Sequence, residues 1–147
     1  MGLWQVGFFV IPKASAKDDK FELDEEGSFD DALYWNEQKV LPDFFKPIAK
    51  ILPLEKSWSE KILLYGHQDS NRLEVFHENG IVESVSFRID FTSNYESVLS
   101  ELIEFFILNG LIVLDENLNV LPLNFEAIKS VIENSPQVKK YRTLSNQ

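Results

Sequence analysis

The sequence predicts an α+β domain: an antiparallel or mixed sheet of about five strands with two to three helices on one face, close to a ferredoxin-like plan with an extra strand. Three observations predict it. Strand-like runs flank Asn79-Gly80, which is a strong hairpin signal. Tyr95, Val98, Leu99, Leu102, Ile103 and Phe106 then recur at helical spacing. Apolar Leu111 to Leu114 follows directly after the helix stop at Asn109-Gly110. With 147 residues, one domain spans 1–147, and 12 Phe, 4 Tyr and 3 Trp supply its core.

Leu3 to Ile11 reads as a strand that Pro12 ends. The stretch 13–31 is expected to be an exposed, mobile acidic loop. It holds Asp18, Asp19, Glu22, Asp24, Glu25, Glu26, Asp30 and Asp31 against Lys13, Lys17 and Lys20. Phe29 to Asn36 forms a short helix, and Pro42 to Ile51 a second helical stretch disturbed at Pro47 and stopped by Pro53. Lys61 to Tyr65, Arg72 to His77 and Ile81 to Phe91 are strands. A two-residue Asn79-Gly80 loop would set Val85 opposite Glu74. A three-residue loop sets His77 opposite Ile81 and Leu73 opposite Val85, so that register is expected. Ser93 and Glu96 form a capping box for the next helix. Asn119 to Leu121 pairs back on Leu111 to Leu114. Asn124 caps a last helix that buries Phe125, Ile128 and Ile132 and ends at Ser135-Pro136, before a polar tail.

Composition excludes several classes. There is no cysteine, so disulfides, Cys-ligated metals and thiol catalysis are ruled out. The start of the chain lacks the basic residue and unbroken apolar run of a signal peptide, and no run approaches the roughly 18 apolar residues of a membrane span. A cytoplasmic protein without membrane attachment is the expectation. Net charge is −10, from 24 acids and 14 bases, which argues against nucleic acid as a partner. It fits either plain solubility or a basic protein partner reached by electrostatic steering.

No cofactor motif is present, and neither histidine has metal-ligand spacing. His67 belongs to a turn and His77 to a strand end. Asp115-x-Asn117-x-Asn119 with Glu126 at the twelfth position copies calcium-loop spacing, but Val120 stands where the loop needs glycine and Pro122 interrupts it. Catalytic and metal residues are therefore not assigned. The candidates for partner binding are Asp24, Glu25, Glu26 and Asp30 in the acidic loop, Trp35 beside it, and Glu74, Arg88 and Asp90 on the hairpin. Arg72, Glu74, Glu83, Arg88 and Asp90 are expected to form a charged cross-strand ladder.

The runs Asn71-Arg72-Leu73-Glu74-Val75, Glu78-Asn79-Gly80-Ile81-Val82 and Phe87-Arg88-Ile89-Asp90, followed by the capped helix and Leu111 to Leu114, resemble a family of small acidic bacterial single-domain proteins. That family carries N-R-[IL]-E-V, [DN]-G-x-V and R-[IV]-D runs. The resemblance spans Trp58 to the last helix and implies no catalytic residue. By size and charge the chain is also similar to toxin-immunity proteins. The expected function is non-catalytic protein binding, in its most concrete form inhibition of a basic partner. A pocket protein using His67, Arg88, Asp90 and Tyr65, or a homo-oligomeric module, are the alternatives.

Overall fold

A computed structural model describes residues 4–16, 21 and 23–145. The expectations placed on Leu3, Lys17, Asp18, Asp19, Lys20 and Glu22 lie outside these residues. The described residues form one seven-stranded sheet in which every pairing is antiparallel. The strands are β1 (Gln5–Pro12), β2 (Leu54–Glu55), β3 (Ile62–Gly66), β4 (Arg72–Glu78), β5 (Ile81–Asp90), β6 (Leu111–Leu114) and β7 (Val120–Leu121), in the order β2-β3-β4-β5-β1-β6-β7. Four α-helices accompany it: α1 (Ala32–Gln38), α2 (Glu96–Leu108), α3 (Phe125–Glu133) and α4 (Pro136–Ser145). A 3-10 helix (Pro42–Lys50) makes five helices, beside a single 3-10 turn at Lys13–Ser15. The described residues therefore form an α+β fold with seven strands and five helices, against an expectation of about five strands and two to three helices. The strand without any expectation is β2, of two residues and too short to leave a period-2 signal, whereas β7 is the expected pairing of 119–121 back on Leu111–Leu114. Strands β2 to β5 form a meander with no helix between them, so the ferredoxin-like plan does not describe the sheet. Short edges such as β2 and β7 leave little backbone free for pairing with another chain.

The N-terminal strand lies in the interior of the sheet, between β5 and β6, because it is apolar on both faces. Val6, Phe8 and Val10 enter the main core, and Phe8 stacks on Phe87 of β5 at 4.8 Å. That core also takes Leu73, Val75, Val85 and Ile89 from the sheet, Leu99, Leu102 and Phe106 from α2, and Ile128 and Ile132 from α3. Phe9 and Ile11, on the opposite face of β1, meet Leu114, Leu118, Phe21, Phe29 and Tyr34 in a second, smaller cluster. Helix α1 belongs to both: Trp35 enters the main core and Tyr34 the smaller one.

The hairpin departs from the expected register in an instructive way. Its loop is the two-residue Asn79-Gly80 turn, with φ of 54° and 76° at the two positions, and Glu78 faces Ile81. His77 faces Val82, Phe76 faces Ser84, and Glu83 is the extra residue of a β-bulge. Leu73 consequently faces Phe87 and Val75 faces Val85. The bulge brings Val75 and Val85 onto one face, which the three-residue loop was meant to achieve. The buried side chains of β5 are Val82, Val85, Phe87 and Ile89, and the three-residue step from 82 to 85 marks the bulge.

Two helix starts also differ from expectation. Ser93 does not cap α2: its hydroxyl donates to the Asp90 carbonyl at 2.7 Å and accepts from Asn71 Nδ2 at 3.1 Å. Residues 136–145 are helical rather than a plain tail. Pro136 ends α3 and opens α4, because a first-turn proline needs no amide partner, and Ser135 Oγ accepts from the Val138 amide at 3.2 Å. The Asn124 cap is present, its Oδ1 accepting from the Ala127 amide at 2.8 Å. Asn124→Ala is expected to cost about 1 kcal/mol, checked by urea unfolding, with an unchanged midpoint speaking against the cap.

Candidate functional site

The acidic loop is built around Asp24. Its Oδ1 accepts from the amides of Glu26 and Ser28, both at 2.9 Å, while its own amide donates to the Ser28 carbonyl at 2.7 Å. Gly27 closes this turn at a φ of 80°, a conformation that a side chain resists. Asp24 is thus the residue that shapes the turn. The carboxylates of Glu25, Glu26 and Asp30 remain exposed, and so do Leu23 and Leu33, the latter at 67%.

The two residues next in order turn inward. Asp31 is buried, accepts from the Ser84 hydroxyl at 2.7 Å and takes a further hydrogen bond from the Val85 backbone. Burial pushes its carboxyl up to about 6 in spite of these bonds. Trp35 is 0% exposed, and its indole N–H donates to the Val10 carbonyl at 3.0 Å. This corrects the expectation that Trp35 belongs to a docking surface. Pairing of β1 with β5 stops at Val10 and Val85. There Trp35 takes the carbonyl of one strand and Asp31 the backbone of the other, so α1 closes the sheet where the two strands part.

The hairpin candidates sit on the face of the sheet opposite the main core, and they do not form one ladder. Arg72 and Arg88 face each other across β4 and β5. Arg72 Nε lies 3.2 Å from Glu74 Oε1, an ion pair without hydrogen-bond alignment, and its Nη1 donates to the Gln68 carbonyl at 3.1 Å. Asp90 turns away to the end of the strand and holds the Thr92 amide at 2.9 Å. Glu83 is the bulge residue. Arg88 is half-buried; burial and then the Arg72 charge pull its affinity for a proton down, while Glu116 and Glu74 act the other way. Beside it Gly7 donates its amide to Glu116 Oε1 at 3.2 Å. Gly7 and Glu116 were not among the sequence candidates. The available signal was the isolated glycine inside an apolar strand, which marks a close approach.

Other polar groups are absorbed by turns. His67 Nδ1 accepts from the Asp69 amide at 3.1 Å. Asp115 Oδ1 accepts from the amides of Asn117 and Asn119, both at 2.9 Å, so the calcium-like spacing is an Asx-type turn. Among the described residues, no cluster of three or more acids and histidines is placed to hold a metal. No helix there is long and apolar enough to cross a membrane. Among the described residues, His67 and Arg88 line separate clefts.

Fold and surface together define a one-sheet α+β protein that carries a structured acidic turn and a separate cleft walled by Arg88 and Glu116. No family model, no curated protein and no solved structure matches the chain.

Proposed function

We propose that this protein is a non-catalytic binding protein that docks through its acidic surface on a basic protein partner, in the manner of an immunity-type inhibitor. The supporting observation is the turn at Asp24. It fixes the backbone while Glu25, Glu26 and Asp30 stand in solvent, with Leu23 and Leu33 exposed in the same stretch. Charge of this kind steers a partner of opposite sign, and exposed apolar side chains supply contact area once it arrives. The net charge of −10 extends the attraction beyond the turn. Trp35 has no part in this surface, because it is spent on the Val10 carbonyl.

The test neutralises the surface without touching its frame. A Glu25→Gln, Glu26→Gln, Asp30→Asn variant keeps Asp24 and the turn. Wild type is expected to retain one basic protein from lysate of its own source at low salt and to form a stoichiometric complex with that protein once purified. The variant is expected to lose at least about tenfold in affinity, since three exposed charges are removed at roughly 0.5 kcal/mol or more each. Equal affinity of the two proteins contradicts the proposal.

A further inference from the structure

We infer that the cleft over Gly7 is a binding site for a carboxylate group, recognised by the Arg88 guanidinium. The inference is independent of the acidic docking surface. The cleft has a volume of about 180 Å³, and Gly7, Phe9, Ser86, Arg88 and Glu116 line it. The Arg88 side chain forms no hydrogen bond and no ion pair among the described residues. Its cross-strand neighbour is a second cation, Arg72, which already holds Glu74 and the Gln68 carbonyl. Like charges directly opposite on adjacent strands are unfavourable. Glu116 and Glu74 offset part of this repulsion without pairing with Arg88, so the donors of its half-buried guanidinium stay open to a further anion.

Gly7 lets the charged side chains of Arg88 and Glu116 come close to its backbone. A Cβ at this position would lie 3.2 Å from Arg88 Nη1 and 3.4 Å from Glu116 Oε1. The absent side chain thus lets the guanidinium and the Glu116 carboxylate settle against β1 at the floor of the cleft. A guanidinium offers a planar fork that matches a carboxylate in a bidentate way. Glu116 and Glu74 both act on Arg88, and their charge weighs against a dianion such as phosphate. A singly charged carboxylate suits the cleft, and the Ser86 hydroxyl lines the same wall. The carboxylate can come from a small acid or from the end of a peptide chain.

The probes are sodium acetate, inorganic phosphate and a short peptide with a free or amidated C-terminus. Binding is followed through the arginine Nε–Hε and the Gly7 and Ser86 amide resonances of the full-length protein. At about 0.15 M salt the overall negative field is screened beyond roughly 8 Å, so the readout reports the cleft. Acetate is expected to shift these resonances saturably and more tightly than phosphate. Arg88→Gln is expected to weaken binding at least about tenfold, the loss of one charge-assisted hydrogen-bonded pair. Arg88→Lys, which keeps the charge but not the fork, is expected to weaken it too, and covers a failure of Arg88→Gln to fold. Glu116→Gln is expected to tighten it. A free-acid peptide that outcompetes acetate, with the amide inert, identifies a chain terminus; equal affinity for acetate and peptide identifies a small acid. No saturable shift, phosphate binding as tight as acetate, or acetate affinity unchanged in both Arg88 variants overturns the inference. So does a Glu116→Gln protein that loses both stability and acetate binding, because Arg88 then serves only as an internal partner of Glu116.

Discussion

Trp35→Ala is expected to cost about 3–5 kcal/mol and to lower the melting temperature by roughly 10–20 °C. Two losses combine. The indole is fully buried and packs edge-on against Phe45 at 5.7 Å, so its removal leaves a large cavity in the main core. The Val10 carbonyl also loses the indole donor, at the last position where β1 pairs with β5. Trp35→Phe separates the two, because it keeps most of the apolar bulk and removes the N–H. It is expected to cost about 1 kcal/mol, the net worth of one hydrogen bond. Chemical unfolding of both variants checks this. A Trp35→Ala protein within about 1 kcal/mol of wild type would show that the side chain is not in the core, and would return it to the surface as a docking residue.

Asp31 is expected to make stability depend on pH. Its carboxyl stands at about 6 in the folded protein, against an ordinary value of 3.8. Burial is the main cause and the adjacent Asp30 charge adds to it, while the bonds from Ser84 and Val85 oppose it. Between these two values the native chain holds a proton that the unfolded chain has released. The stabilisation from this group is therefore complete below about 4 and is lost as pH rises through 6. Above that, the buried charge costs up to about 3 kcal/mol. Asp31→Asn keeps an acceptor for Ser84 and Val85 and carries no charge. It is expected to be more stable than wild type at pH 8 by about 2–3 kcal/mol, with the gap closing by pH 4. Unfolding free energies at the two values check this. A gap of equal size at both would mean that Asp31 does not titrate differently in the two states.

Much of the architecture is legible in the amino-acid sequence, and the exceptions share a cause. Asn79-Gly80, the α2 periodicity, the Asn124 cap and the strand character of β1 are local signals, and each corresponds to the structure. The hairpin register is misjudged because a bulge is decided by which side chains the core accepts, and Glu83 as the extra residue has no local mark. Helix α4 is missed because Ser135-Pro136 reads as a stop. The same proline opens a helix once Ser135 is its cap and Val138 and Tyr141 find apolar cover. Tyr141 lies against Trp4 and Phe91 at 5.1 and 5.6 Å.

The candidate surface divides in the same way. Glu25, Glu26 and Asp30 are exposed, as a charged run implies, whereas Asp31 and Trp35 within seven residues are buried. Nothing in the composition of 24–35 separates these groups. The separation comes from the gap between β1 and β5, a pairing of residues more than seventy positions apart. Arg88 and Glu74 lie on one face, as the alternation of the strands predicts. The like charge beside Arg88 comes from the facing Arg72, and the close approach of its guanidinium to β1 from Gly7 on a third strand.

The most direct test of the docking account is the affinity of the purified complex, measured by calorimetry from about 0.05 to 0.5 M salt, for wild type and for the Glu25→Gln, Glu26→Gln, Asp30→Asn variant. An acidic surface acting on a basic partner predicts a steep fall in wild-type affinity with salt, a shallower fall for the variant, and convergence of the two at the highest salt, where charges are screened beyond a few ångströms. Parallel lines of equal slope would show that these three carboxylates do not face the partner, and the acidic turn would lose its assigned role.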